Sequence, residues 1–441
     1  MTIDAALYAL ALAILTTVWR VQDLFPALGV FRPAILSIII AAFLLALDRS
    51  PERRSRRFAT PLTAPLLVLL GLMALLIPAS LDPQLSFSML AQELIPTAAL
   101  ALMIAMAVRN GRDLEWLVMV NVVGACFYGL YALLRIPLGP EGRWTNLVGY
   151  DNNDFALLVV TTIPMALFLA QSGRTRVWRA IGFAGTALLM LCIVRAGSRG
   201  GLIGLGSVFG YLAFRHRTVR SGMRVALVVA ALVVLTVFGR AQLVNTINTL
   251  RNPKADYNWS GNDYDGRIEL WKRGLGYMHD RPLTGVGLAA FPVAEGELSE
   301  VARQRVAHGE HVKALVAHNM YIQVGAELGL VAAGVFLFLL WRAYRTLTLI
   351  AGAYEPTGAD RPSLLKAGPE TTLPRLLAAS LVGFCVSAIF IAAAYFALLP
   401  VLIGFAGAAS RIVPAWITAP RRRPVYAGSA AVGSEVGSLG V

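Results

Sequence analysis

Residues 261–273 read GNDYDGRIELWKR, and residues 317–329 read AHNMYIQVGAELG. The first stretch lies within residues 239–318, the one long polar passage of the chain. The second opens the apolar run that closes that passage. Between Gly239 and His318 fall Trp259, Asp263, Asp265, Arg267, Glu269, Lys272 and Arg273, with four of the five histidines (His279, His308, His311, His318). A chain that concentrates its reactive side chains in one segment between two apolar runs is expected to do its chemistry there.

Outside this passage the sequence is that of a membrane protein. It is 57% hydrophobic and 15% charged, and its mean hydropathy is +0.65, values typical of polytopic chains. The apolar runs predict about twelve spans, by length and flanking charge. They fall near 4–19, 33–47, 62–79, 90–108, 114–134, 154–171, 181–194, 200–214, 225–238, 319–340, 376–392 and 395–413. The net charge of +14 does not read as a nucleic-acid surface, because the arginines cluster in short loops between runs. Arg49 to Arg57, Arg109 and Arg112, Arg174 to Arg179, Arg215 to Arg224, Arg342 and Arg345, and Arg421 to Arg423 all follow even-numbered runs. Cation-rich loops stay cytoplasmic, so both termini are expected there and the long loop on the outer side. The fold expected is all-α: spans 1–9 in residues 1–238, the loop in 239–318, spans 10–12 in 319–413, and a cytoplasmic tail, 414–441, small and polar from Ala427 on. The three cysteines (Cys126, Cys192, Cys385) sit inside apolar runs and read as buried thiols with no disulfide framework. Thr2 to Ala13 lacks a basic n-region and reads as the start of the first span.

Two further outer segments flank the loop. Residues 135–154 carry Arg143, Trp144 and the run Gly149-Tyr150-Asp151-Asn152-Asn153-Asp154. The hairpin Arg195-Ala196-Gly197-Ser198-Arg199-Gly200-Gly201 is too short to leave the headgroup level, and its glycines would let a ligand approach Arg199 closely. Alone, Arg199 could be a snorkelling interface residue. Within the loop, Ile268, Trp271, Leu275 and Met278 recur at helical spacing, Glu269 and Arg273 stand at i, i+4, and Pro282 follows, so residues 265–280 are predicted helical. A cationic Arg267 in the first turn is unfavourable there unless an anion is present. Residues 299–316 form a second amphipathic stretch.

Asp263-Tyr264-Asp265 has the D-x-D form of a metal-nucleotide site, although a Gly/Asn-rich turn accounts for it better. His308 and His311 could be two metal ligands, but no further ligand has fitting spacing, so no metal and no cofactor is expected. Glu327, inside an apolar run, marks a polar contact within the bundle. His318-Asn319 at a span entrance is either a helix cap or a general base titrating near neutral pH.

Arg199, Arg267 and His318 together resemble the O-antigen ligase family, in the ligase and polymerase group of GT-C-type membrane glycosyltransferases. The segments carrying the resemblance are Ser198-Arg199-Gly200-Gly201-Leu202, residues 261–271, and His318-Asn319 followed by Gly325-Ala326-Glu327-Leu328-Gly329-Leu330. Leu202 stands one position early against the family's usual arginine-leucine spacing. The resemblance implies an undecaprenyl-diphosphate-linked glycan as donor and the lipid A core as acceptor, on the periplasmic face of the bacterial inner membrane. It implies Arg199 and Arg267 on the diphosphate and His318 as catalytic base, with Asn319, Arg143, Asp265, Glu269, Arg273 and Arg195 in support. It also implies membrane lipids as surroundings and no nucleic-acid partner. An O-antigen polymerase or a protein O-oligosaccharyltransferase shares this chemistry. A lipid-sugar flippase or transporter would instead need charged or broken helices near the midplane.

Overall fold

The computed structural model describes residues 4–50, 60–140, 142–215, 244, 247–248, 251–252, 264–308, 315–353 and 369–412. The expected ninth span (225–238), Trp259, Asp263, His311, residues 354–368 and the tail lie outside the described residues. Those described form helices and connections, with no strand among them beyond one isolated antiparallel bridge between Leu138 and Trp144.

The helices, in chain order, are α1 (Ala5–Thr17), α2 (Pro33–Leu47), α3 (Thr63–Leu76), α4 (Pro83–Ala107), α5 (Gly111–Arg135), α6 (Asn152–Ser172), α7 (Arg176–Ala196) and α8 (Arg199–Arg215). The loop contributes α9 (Arg267–Asp280), α10 (Phe291–Glu297) and α11 (Glu300–Ala307), followed by α12 (Met320–Ala353), α13 (Pro369–Ser387) and α14 (Leu398–Ile412). Six of these (α4 to α7, α12, and residues Thr372–Phe390 of α13 with its 3-10 end) are long and apolar enough to cross a membrane, and α1, α2, α3 with its continuation, and α14 are shorter apolar helices.

Side-chain caps account for several helix starts. Asp4, Asp82, Asn110, Asp151 and Thr175 each accept backbone N–H bonds at a helix start, satisfying donors that an initial turn leaves open. Asp82-Pro83 starts α4 seven residues before the run expected at 90, because Asp82 caps and Pro83 is preset for the first turn. The expected 33–47 and the observed Pro33–Leu47 coincide.

The described connections gather in two groups. In one, Arg109 binds Asp4 at 2.7 Å and Asp113 at 3.1 Å, Arg174 binds Glu115 at 2.7 Å, and Arg411 donates to the Ala105 carbonyl at 2.7 Å. In the other, Tyr150 donates to the Val18 carbonyl, Arg20 to the Gly149 carbonyl at 3.0 Å, and Ser86 to the Leu288 carbonyl at 2.9 Å. The Ala394 amide donates to Gln323 at 3.3 Å in the same group. Gly149 and Tyr150 of the segment 135–154 and Leu288 of the long polar passage belong to this second group.

Helix α12 is broken where it matters most. Gly329 has φ 76° and ψ 172°, far from helical values, and a Cβ there would meet the Leu283 carbonyl at 2.6 Å. The break frees carbonyls and an amide that an intact helix would pair. A strap, residues 282–290, takes them up. Val286 N–H donates to Ala326 O at 2.8 Å, Gly287 N–H to Glu327 O at 2.9 Å, and Leu330 N–H to Pro282 O at 2.7 Å. Buried backbone polar groups must be paired somewhere, and the strap is where these are paired. Glu327 completes the joint: its carboxylate accepts from the Ala289 amide at 3.1 Å, the Phe291 amide at 3.4 Å and the Tyr395 hydroxyl. The polar contact expected of Glu327 is therefore the fastening of the loop onto the bundle.

Candidate active site

The loop has a small core of its own. Leu270 and Tyr277 of α9, Val286 and Ala290 of the strap, Phe291 and Ala294 of α10, and Ala317 and Ala326 beside and within α12 are all buried together. Each large apolar side chain so placed contributes about 1.5–3 kcal/mol. Two glycines bring α9 against the start of α12. A Cβ at Gly274 would strike Ile322 and Phe291, and one at Gly325 would strike Met278. Helix α9 runs from Arg267, close to the expected start at 265, so Arg267 occupies its first position, after Gly266 as N-cap.

This packing brings the Arg267 charge close enough to act on His318. Ala317 is anchored in the loop core, and Asn319 is buried and caps α12, its Oδ1 accepting from Tyr321 N–H at 2.9 Å and Ile322 N–H at 3.1 Å. The cap is thus Asn319 and not His318, which leaves the imidazole clear of capping duty. His318 itself has φ 46°, a left-handed backbone that costs a non-glycine residue on the order of 1 kcal/mol or more. Its neighbours on both sides, a buried alanine and a capping asparagine, hold it there. Burial first and the Arg267 guanidinium second keep the imidazole below the usual histidine range, partly opposed by the Asp151 carboxylate. A histidine held neutral in this way can accept a proton near neutral pH.

Asp151 was not among the residues expected at the centre. It is the N-cap of α6, accepting from Asn153 N–H at 2.6 Å and Asp154 N–H at 2.7 Å within a capping box. The sequence signal was present, in Asp151 and Asp154 three apart before an apolar run. What no spacing tells is that residues 135–154 fold over to face a histidine some 165 positions later.

Arg199 is the first residue of α8 and is half-buried. The turn before it is built around Arg143. That side chain lies across Gly197 (φ 59°), where a Cβ would meet it at 2.7 Å, and donates to the Ala196 carbonyl at 3.1 Å. Ser198 accepts from Gly201 N–H at 3.2 Å, and Gly200 and Gly201 pack on Phe390 and Ala156. Arg143 therefore shapes the hairpin that presents Arg199. Arg195 occupies the last turn of α7, where a cation meets the helix dipole favourably.

The remaining loop charges have other partners. Glu269 pairs with Lys272 at 2.7 Å, not with Arg273. Arg273 reaches the buried Glu295 at 2.8 Å, donates to the Tyr264 carbonyl at 3.0 Å and stacks on the Tyr264 ring. Tyr277 donates to Glu295 at 2.9 Å, and Arg305 covers the other reach of Tyr264 at 4.5 Å. The i, i+4 spacing of Glu269 and Arg273 gave way to a tertiary partner in α10, a helix with too few periodic residues to be expected from sequence. Asp265 is half-buried just before Gly266. His308 is turned onto its own helix, its ring 2.7 Å from Gln304 O. Among the described residues no group of three or more His, Cys, Asp or Glu side chains gathers as a metal site.

Residues 184–339, from α7 through the loop to the middle of α12, match the family model described as O-antigen ligase. The match covers Arg199, Arg267 and His318 together with the strap and the broken helix. No curated protein matches the chain.

Proposed function

We propose that this chain, a member of the O-antigen ligase family by its segment 184–339, is an O-antigen ligase, a membrane glycosyltransferase using a lipid-diphosphate-linked glycan. The observation carrying this reading is the turn at His318. Its imidazole is released from capping by Asn319 and kept deprotonated by burial and by Arg267. In the reaction proposed, His318 takes the proton of the acceptor hydroxyl. The hydroxyl oxygen attacks the anomeric carbon, and the bond to the diphosphate oxygen breaks with inversion. The leaving diphosphate gains charge as that bond breaks, and planar guanidinium groups can hold it bidentately. Arg267, whose charge acts on His318, and Arg199, presented by the Arg143 hairpin, are assigned to that task. Undecaprenyl diphosphate is proposed as the lipid, the lipid A core as acceptor, and the periplasmic side of the inner membrane as the place, by the distribution of cations along the chain.

A polymerase or a protein O-oligosaccharyltransferase would use the same centre with a different hydroxyl. The purified protein in detergent, given lipid-linked glycan and in separate reactions a lipid A core, a glycan chain or a serine peptide, tests the reading. Transfer to the lipid A core is expected. Transfer only to one of the other two would change the acceptor assignment, and no transfer to any would end the enzyme reading in favour of transport.

A further inference from the structure

A half-open groove lies away from His318, in a part of the chain that the matched segment does not include. It has a volume of about 230 Å³, between the end of α1, the start of α2 and the middle of α4. Thr17, Gln22, Asp23, Arg32, Gln92 and Glu93 line it. Two of its wall atoms are buried without a hydrogen-bond partner, Thr17 Oγ1 and Gln22 Oε1. The Gln22 amide is fixed by its own N–H bond to the Thr16 carbonyl at 3.0 Å, so its oxygen is held in place and unsatisfied. Buried polar atoms of this kind carry a penalty of about 1–3 kcal/mol each until something bonds them.

The backbone around the cavity departs from regularity at two places. Residues Leu90–Leu94 form a π turn inside α4, with Ile95 N–H bonded to Leu90 O, and this turn carries Gln92 and Glu93. Single π turns inserted in helices recur at functional sites, and Gln92 and Glu93 are both exposed on this one, open to a ligand. Arg32 stands at the head of α2 with φ 45°, a strained backbone for an arginine. The cavity is also tied to the catalytic end. Asp23 accepts from Arg20 at 2.6 Å, Arg20 donates to Gly149 O at 3.0 Å, and Asp151, facing His318, follows two residues later.

We propose that this cavity is a sugar subsite, taking one neutral, hydroxyl-bearing ring of a glycan handled by the His318 centre. This rests on the glycosyltransferase reading above. A ring hydroxyl both donates and accepts, so it can satisfy Thr17 Oγ1 and Gln22 Oε1 together. Carboxylate, amide and guanidinium planes such as Glu93, Gln92 and Arg32 match vicinal hydroxyl pairs. Two carboxylates against one lining guanidinium disfavour a phosphate, which separates this cavity from the diphosphate site. The volume is below the usual range for drug-sized ligands of roughly 300–1,000 Å³, which fits one ring and not a chain. The ring can come from the donor glycan or from the acceptor glycan.

The test fills or neutralises the cavity without touching the catalytic end. Gly29 lines it, and a Cβ there meets nothing within 4 Å, so Gly29→Trp can occupy the space with the fold intact. Glu93→Gln removes one carboxylate. Each variant is compared with the unaltered full chain in transfer kinetics and in titration with lipid-free donor oligosaccharide and lipid-free acceptor oligosaccharide. Expected is a rise of about tenfold or more in KM for one substrate, with kcat changed by less than about twofold, the pattern of lost uniform binding. The substrate whose KM moves, and whose free oligosaccharide no longer binds, identifies the source of the ring. Unchanged KM for both substrates with unchanged oligosaccharide binding overturns the proposal. So does an effect seen only as a phospholipid-dependent change in melting temperature, which would make the cavity a lipid site. Should the unaltered protein transfer nothing, the enzyme reading fails while the titration still decides the subsite. Oligosaccharide binding lost in Gly29→Trp would support it, and no binding to the unaltered protein would overturn it.

Discussion

Helix α9 carries two arginines six residues apart, one tied into the loop core and one acting on a histidine. Arg273 is met by everything a cation can use: the buried Glu295 carboxylate, the Tyr264 carbonyl and the Tyr264 ring. Arg267, at the head of the same helix, lies instead beside a histidine whose proton it disfavours. The carboxylate that faces this pair, Asp151, is engaged in capping α6. Charges in the first place hold the loop's shape, whereas in the second the Arg267 cation acts on an imidazole that burial already keeps neutral. A mutation series should separate these roles, because structural charges can be replaced together and catalytic ones cannot.

The largest effect is expected at His318. His318→Ala should lower turnover by about 10²–10⁴-fold, the usual contribution of a positioned base, with melting temperature preserved because Asn319 and not His318 caps α12. Asn319→Ala should show the converse: about 1 kcal/mol of lost stability from the missing cap and a smaller loss of rate. Equal losses in the two variants would erase the distinction between base and cap. Next comes Arg267→Lys, which keeps the charge but not the planar fork. A fall of about 10²-fold in kcat/KM is expected, similar to removing one donor to a developing anion. Full activity in that variant would return Arg267 to the status of a surface cation.

At Arg273 the expectation inverts. Arg273→Met alone leaves the Glu295 carboxylate buried without its partner, a change that commonly costs about 3–5 kcal/mol. It should appear as protease sensitivity between α9 and α10. The double variant Arg273→Met with Glu295→Leu should recover most of the stability and activity, since apolar replacements of a buried pair are often tolerated. If activity stays lost while the loop regains protease resistance, Arg273 touches substrate and the contrast drawn on α9 collapses.

Much of the bundle was legible in the sequence because apolar length and caps are local signals. The runs at 33–47 and 62–79 and the predicted loop helix end close to where the structure ends them. The strap was not legible. Its pairing with Ala326, Glu327 and Leu330 joins segments about forty residues apart, and the break at Gly329 sits inside a run that is apolar enough to read as one span. Glu327 was visible as an anomaly, but its partners, two amides and the Tyr395 hydroxyl, come from elements with no recognisable spacing to it. The site follows the same rule. Arg199, Arg267 and His318 were singled out from motif and resemblance, whereas Asp151 stood only in a polar run before α6, and its approach to His318 depends on tertiary placement alone.

That second role gives the smallest effect and the sharpest sign. Because the His318 pKa is lowered from 6.5, activity that needs the neutral imidazole should persist below the ordinary histidine value and fall at a pH under it. The same shift makes the unfolded chain take up the proton first, so the loop should lose stability as pH falls from the ordinary value toward the lowered one. Asp151 raises the pKa and Arg267 lowers it. Asp151→Asn keeps an equally good N-cap while removing the negative charge, so the inflection of kcat/KM against pH should move further down. Arg267→Gln, though nearly inactive, should move the inflection of its residual activity up. Opposite movements from two variants on opposite sides of one imidazole would be hard to obtain from any group but His318. If both profiles keep the unaltered inflection, the titrating base is another residue, and the pairing of Arg267 with His318 is one of proximity alone.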